Sequence, residues 1–187
     1  MAESAFRDLP LSGAHGGSAH VGLQPAPPAE RISLRARAED VPALSSALDL
    51  PLPTAPKTSA RSGSRVALWL GPDEWLVIDE GAGGLMRSAA ASGALASATD
   101  VSHRNTAILI SGPGAEATLN GGCPLDLSQK AFPVGACART IFGKIEVVIL
   151  RSGETQFRLE CWRSFSDYAF GLLQQTAADA ALDRFQA

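Results

Sequence analysis

Between Ala136 and Cys161 the sequence alternates so regularly that few folds can accommodate it. Ala136 to Phe142 and Lys144 to Leu150 are β-rich runs hinged at Gly143, and Ser152-Gly153-Glu154 supplies a second turn. Beyond it Phe157, Leu159 and Cys161 alternate with Gln156, Arg158 and Glu160. Successive strand residues point to opposite faces, so this pattern predicts a sheet with one apolar face and one wet face. The period then changes. Phe165, Tyr168, Ala169, Leu172, Leu173, Thr176 and Ala177 recur at helical spacing, and Ser164 with Asp167 three residues later forms a capping-box-like entry. A last helix packed on the sheet is the consequence.

The preceding residues read in the same way. Ile32 and Leu34 alternate with arginines over Arg31 to Ala38, which suits a half-buried strand. Val41 to Leu48 predicts a short helix with Asp40 at its N-cap and Pro42 in its first turn. Val66, Leu68 and Leu70 lead into Gly71-Pro72-Asp73, and Trp75 to Ile78 lead away, which predicts a β-hairpin. A helix is expected within Gly81 to Gly93. Ala98 to Val101 and Thr106 to Ser111 read as a second strand pair around the polar turn Ser102-His103-Arg104-Asn105. Ser111-Gly112-Pro113 then starts a short helix anchored by Leu119 and stopped by Asn120-Gly121-Gly122. Hairpins interspersed with helices predict an α+β fold with mostly antiparallel sheets and packed helices.

Two stretches stand apart. Residues 1–30 are rich in glycine and proline and poor in large apolar groups, so they predict a flexible or extended N-terminal arm: a frayed terminus, or a segment that orders on a partner. Leu50 to Gly63 carries Pro51, Pro53 and Pro56 and reads as a loop or linker. Residues 31–187 are then one α+β domain.

Composition removes several function classes. A formal net charge of −3 and the lack of a basic patch argue against a nucleic-acid partner. No apolar run is long enough to span a bilayer, and no secretory leader is evident, so a cytoplasmic protein without a membrane partner is expected. Cys123, Cys137 and Cys161 are widely spaced and odd in number, which suggests reduced thiols.

Motifs for chemistry are sparse. His103 is the one histidine outside the arm, and its pairing with Cys123 has no surrounding signature; Cys123 before Pro124 reads as a small apolar residue at a helix end. No C-x-x-C spacing offers a zinc site. Gly81-Ala82-Gly83-Gly84 resembles a dinucleotide turn superficially, but Met86 stands where the third glycine belongs. Catalytic, cofactor and metal residues are therefore expected to be absent from this chain. Trp69, Trp75 and Trp162 read first as core residues, with one or two facing a partner as the alternative.

Two passages carry a family resemblance. Leu68-Trp69-Leu70-Gly71-Pro72-Asp73-Glu74-Trp75-Leu76 resembles the LGPDEWL hairpin of sarcosine oxidase gamma subunits. Asp100-Val101-Ser102-His103-Arg104, followed by Ile108 to Gly114 and Ala115 to Leu119, resembles a passage shared with the aminomethyltransferase (T-protein) of the glycine-cleavage system. Trp162 to Tyr168 also matches the gamma-subunit style. The resemblance covers roughly residues 30–180. It implies a fold like the N-terminal region of the T-protein, in a non-catalytic gamma subunit that supports assembly with alpha, beta and delta subunits. The family enzyme demethylates sarcosine oxidatively to glycine, with peroxide and methylene-tetrahydrofolate as further products. FAD, FMN, NAD and zinc are implied in the other subunits, with none bound by this chain alone.

That resemblance leaves Ser102-His103-Arg104 with two readings, a polar turn closed by Ser102 or a subunit contact through His103 and Arg104. Trp69, Trp75, His103 and Arg104 are the candidate interface residues. A stand-alone folate-binding aminomethyltransferase-like protein and a generic interaction scaffold are the alternatives.

Overall fold

A computed structural model of the chain describes residues 9–182. Eleven strands and four α-helices follow one another as β1 (Gly16–Ser18), β2 (Val21–Pro25), β3 (Glu30–Ala36), α1 (Val41–Ala47), β4 (Ser59–Ser62), β5 (Arg65–Gly71), β6 (Glu74–Asp79), α2 (Leu85–Ala91), β7 (Ala96–Asp100), β8 (Asn105–Ser111), α3 (Ala115–Asn120), β9 (Cys137–Phe142), β10 (Ile145–Gly153), β11 (Gln156–Trp162) and α4 (Ser166–Leu182). They form two antiparallel sheets, one six-stranded in the order β1-β2-β8-β11-β10-β9 and one five-stranded in the order β4-β5-β6-β3-β7. The fold is α+β, as the alternation of hairpins and helices requires.

Three apolar clusters explain the layering. Ile108, Ile110, Val147, Ile149, Phe157 and Leu159 on one face of the six-stranded sheet pack with Leu119 of α3 and Ala169, Phe170, Leu173 and Ala177 of α4. Ile32, Leu34, Trp75 and Val77 on one face of the five-stranded sheet pack with Leu44 of α1 and Leu85 of α2. The remaining faces meet each other through Val66, Leu68, Leu76, Ile78, Cys137 and Leu150. The layers are thus helices, sheet, sheet, helices. Each fully buried leucine or isoleucine contributes roughly 1.5–3 kcal/mol relative to an exposed one, so both sheet faces must be covered.

That second covering corrects the sequence reading of β11. Arg158 and Glu160 were expected on a wet face, yet they are 4% and 2% exposed because the five-stranded sheet lies over them. A second correction concerns residues 98–111. β7 pairs with β3, whereas β8 pairs with β2 and β11, so they are not a hairpin. The polar turn between them is a crossover from one sheet to the other.

The hairpin β5–β6 forms as predicted, with Trp69 opposite Trp75 and a register shift before Gly71. Part of the stretch read as an arm takes a different form: β1 and β2 make a hairpin beside β8, with Val21 and Leu23 buried. Residues 1–8 of that stretch lie outside the described residues. The linker over Leu50 to Gly63 contains β4, which pairs with β5, and buries Leu50 and Leu52.

Helix entries also differ in detail. Asp40 precedes α1, but its carboxylate accepts the Leu95 N–H at 3.1 Å and leaves the helix uncapped by a side chain. Ser111 ends β8, and α3 begins only at Ala115. Ser164 falls inside a 3-10 turn over Arg163–Phe165, and α4 starts at Ser166, whose hydroxyl donates to the Arg163 carbonyl at 2.8 Å.

Candidate interaction surface

The crossover between β7 and β8 is held by its own side chains. Ser102 Oγ donates to Asp100 Oδ1, which also accepts the Ser102 N–H at 2.9 Å, and Ser102 Oγ accepts the Arg31 N–H at 2.9 Å. These bonds fix the chain direction as it leaves the five-stranded sheet. The N–H groups of Arg104 and Asn105 then bond to the Val101 carbonyl, which tightens the turn. His103 and Arg104 are left exposed.

Arg104 does not wave freely. Its carbonyl accepts the Arg163 N–H at 2.7 Å, its Nε donates to Asn105 Oδ1 at 3.2 Å, and its guanidinium carbon stands 5.1 Å from the centre of the Trp162 ring. Trp162 in turn stacks on Phe165, with ring centroids 5.9 Å apart and 18° between planes. Cation–π and offset-stacked contacts of this kind order the side chains without removing them from water. Trp162 is 42% exposed, Phe165 39%, and Tyr168 in the first turn of α4 41%. An ordered, half-exposed aromatic pair beside an arginine has the composition of an interface hot spot.

The other sequence candidates are placed differently. Trp75 is 1% exposed, packs under α1 and α2, and donates its indole N–H to the Pro53 carbonyl at 2.7 Å. It is covered within this chain, because Trp75 and Val77 of β6 face the helices while Leu76 and Ile78 face the other sheet. Trp69 is half-buried at the edge of the same cluster. Only His103 and Arg104 of the four sit on the crossover surface.

Parity alone does not assign Trp162 to the surface, because Arg158 and Glu160 of the same parity are buried; it is exposed as the last residue of β11. It continues the phase of Arg158 and Glu160, not that of Phe157, Leu159 and Cys161. Phe165 and Tyr168 share the helical phase of buried residues, but Phe165 lies in the 3-10 turn before α4 and Tyr168 meets the β9–β10 turn through its hydroxyl, distinctions the pattern does not carry.

Two pockets flank the crossover. One of about 130 Å³ is bordered by Arg31, Ser102, His103 and Thr106. The other, of about 60 Å³, is bordered by Leu76, Arg104, Glu146, Val148, Glu160 and Trp162. Both are smaller than the ~300 Å³ at which small-molecule sites begin.

The titratable groups deeper in this region neutralise one another. Glu160 accepts from Arg31 Nε at 2.8 Å, from Arg31 Nη2 at 3.2 Å and from Arg158 Nε at 2.8 Å. Arg158 also donates to Glu80. Burial works against the Arg158 charge, but Glu160 and Glu80 outweigh it and raise its pKa. Burial likewise pushes the Cys137 thiol up to about 11 and the Cys161 thiol up to about 12, so both are neutral and poor nucleophiles. Cys123 lies in the helix-side core while His103 is exposed on the crossover. At the glycine-rich turn, the N–H groups of Leu85 and Met86 are met by the Glu30 carboxylate at 3.1 and 3.4 Å, where a bound phosphate would have to sit. Among the described residues no group of three or more His, Cys, Asp or Glu side chains is placed to hold a metal ion. No described helix is long and apolar enough to cross a membrane.

Known proteins are similar to this chain in sequence and in fold. The family model described as "Sarcosine oxidase, gamma subunit family" matches residues 35–179. A sarcosine oxidase subunit gamma from Arthrobacter sp. is 37% identical over 116 residues, covering 60% of this chain and 57% of its own length. The chain therefore spans less than two thirds of that relative. A chain in the structure of heterotetrameric sarcosine oxidase from Corynebacterium sp. U-96, in complex with pyrrole 2-carboxylate, superposes with a TM-score of 0.85 at 26% identity, over 93% of this chain and 96% of that one. The glycine cleavage system aminomethyltransferase T from Bartonella henselae shares the fold, with a TM-score of 0.62 at 16% identity over 83% of this chain and 45% of that one. With the family match spanning well over half of its residues, this chain belongs to the sarcosine oxidase gamma subunit family.

Proposed function

We propose that this chain is a non-catalytic accessory subunit of a heterotetrameric sarcosine oxidase, supporting assembly of the complex with alpha, beta and delta subunits in the cytoplasm. The observation that carries the reading is the likeness, over 93% of this chain, to a chain of a heterotetrameric sarcosine oxidase. The internal chemistry fits. Arg31, Arg158, Glu80 and Glu160 are committed to one another between the sheets, and the thiols of Cys137 and Cys161 are protonated. What the molecule presents outward is an ordered aromatic and cationic surface, which suits docking better than catalysis.

In this reading the complex removes the N-methyl group of sarcosine oxidatively, yielding glycine and peroxide, and methylene-tetrahydrofolate when the folate is present. FAD, FMN, NAD and zinc reside in the other subunits. Co-purification of the tagged chain from its native cells tests the proposal, scored by flavin absorbance and sarcosine-dependent peroxide formation. Yellow, active material with three further polypeptides is expected. Colourless, partner-free chain from cells expressing active oxidase overturns it. The T-protein-like fold makes tetrahydrofolate titration the next measurement in that event, since saturable binding by the isolated chain would favour an aminomethyltransferase-like protein.

A further inference from the structure

We infer that Arg104 and Trp162 form the anchor at which this chain grips a carboxylate-bearing segment of a neighbouring oxidase subunit; the inference rests on the proposed function and names the surface and chemistry of that contact. The first ground is the state of the arginine. Arg31, Arg139, Arg151 and Arg158 each have a carboxylate within salt-bridge distance. Arg104 is positioned by its carbonyl, its Nε and the Trp162 ring, but no carboxylate among the described residues pairs with it. Its two Nη groups meet no acceptor among those residues. A planar fork held in place and left empty is suited to a carboxylate, which accepts two parallel N–H bonds.

The second ground is the apolar floor beside it. Trp162 and Phe165 are stacked yet about 40% exposed, so a partner covering them gains apolar burial without first ordering them. The third ground is charge arrangement in the adjoining pocket. Glu74 and Glu160 there are paired with Arg139 and Arg31, whereas Glu146 has no cation within salt-bridge distance among the described residues. Glu146 repels a second acid, so an incoming carboxylate is confined to the Arg104 side, with an apolar neighbour over the indole. That selects an acidic residue flanked by an apolar one.

The experiment is reconstitution of the chain with the other three polypeptides of the oxidase, with affinity and association rate measured at several salt concentrations. Arg104→Glu is expected to weaken association roughly 30-fold or more, and Arg104→Lys to recover only part of that loss, because lysine lacks the fork. Trp162→Ala weakens it comparably, while Arg87→Glu, at an exposed arginine on α2, leaves it unchanged. Arg104→Gln also flattens the salt dependence of the association rate, which a purely structural role would not move. Wild-type affinity and salt dependence in both Arg104→Glu and Trp162→Ala overturn the inference while leaving the accessory-subunit reading intact. Self-association of the chain that these variants abolish overturns it in favour of a contact between two copies. A wild-type chain that fails to join the other three polypeptides overturns both.

Discussion

Arg31 Nε on β3 and Glu160 Oε2 on β11 lie 2.8 Å apart across the gap between the two sheets, with 3% and 1% of their side chains exposed. Arg158 shares the same carboxylate and also reaches Glu80, so two glutamates balance two buried guanidinium groups. Burying these charges is costly, and the cost is met only while the set is complete.

Glu160→Gln should therefore destabilise the chain by ~3–5 kcal/mol, because it leaves Arg31 and Arg158 facing each other without their shared anion. Urea denaturation of the isolated chain measures this. Replacing Arg31, Arg158 and Glu160 together by apolar residues of similar volume should cost far less than the single change. A single substitution as mild as the triple one would show that water already enters the gap.

The same residues mark where sequence reasoning stops. Alternation along β11 predicted a strand and its two faces, and the strand is there. It could not predict that a second sheet covers the polar face, because Arg158 and Glu160 look identical whether wetted or paired. The crossover is a similar case. Residues 98–111 carry the local chemistry of a hairpin, and only non-local pairing, β7 with β3 and β8 with β11, distinguishes a crossover. Short elements such as β1 and β4 contribute little apolar surface of their own and take their form from a neighbouring edge, so composition read them as arm and linker. Of the site, His103 and Arg104 were legible as a polar turn, whereas the Trp162–Phe165 stack arises from a change of direction between β11 and α4.

Cys137 and Cys161 should resist alkylation at pH 8 in the folded chain and react once guanidinium unfolds it. Peptide mapping after iodoacetamide treatment reads this directly. Burial raises both thiols, to about 11 and about 12, from the 9.0 of an exposed cysteine. The folded state therefore holds protons that the unfolded state releases. Their contribution is full below pH 9 and lost as pH rises toward 11 and 12, at ~1.4 kcal/mol per pH unit for each thiol. Cys161→Ala should flatten the alkaline limb of the stability profile; an unchanged limb would contradict the assignment.

Asp79 governs part of the acid limb. Burial alone would raise its carboxyl, but bonds from Ser64 Oγ at 2.7 Å, the Gly81 N–H at 2.8 Å and Arg65 Nε at 3.0 Å overcome it and hold the pKa below its ordinary 3.8. Because the folded value is depressed, this stabilisation is present above about pH 4 and lost as pH falls through the folded pKa. Asp79→Asn is expected to cost ~1–3 kcal/mol at pH 7 and to make stability less sensitive to pH below 4. Thermal unfolding of both forms across that range is the check.

Gly143 joins β9 to β10 at φ +59°, and its surroundings close the space where a side chain would go. A Cβ there would stand 2.6 Å from Leu172 Cδ2 and nearer still to the Tyr168 hydroxyl. That hydroxyl accepts the Lys144 N–H at 3.2 Å, so it cannot move without releasing the turn. Two costs add in Gly143→Ala: ~1–2 kcal/mol for a left-handed alanine and ~1–3 kcal/mol for overpacking. The two separate in a double-mutant cycle with Tyr168→Ala, since removing the ring relieves the steric part and leaves the conformational part. Urea titration of the four forms should give a coupling energy of at least ~1 kcal/mol between Gly143 and Tyr168. Strict additivity would mean that Leu172 alone blocks the position, and that Tyr168 is free to turn its ring toward a partner of the Trp162 surface.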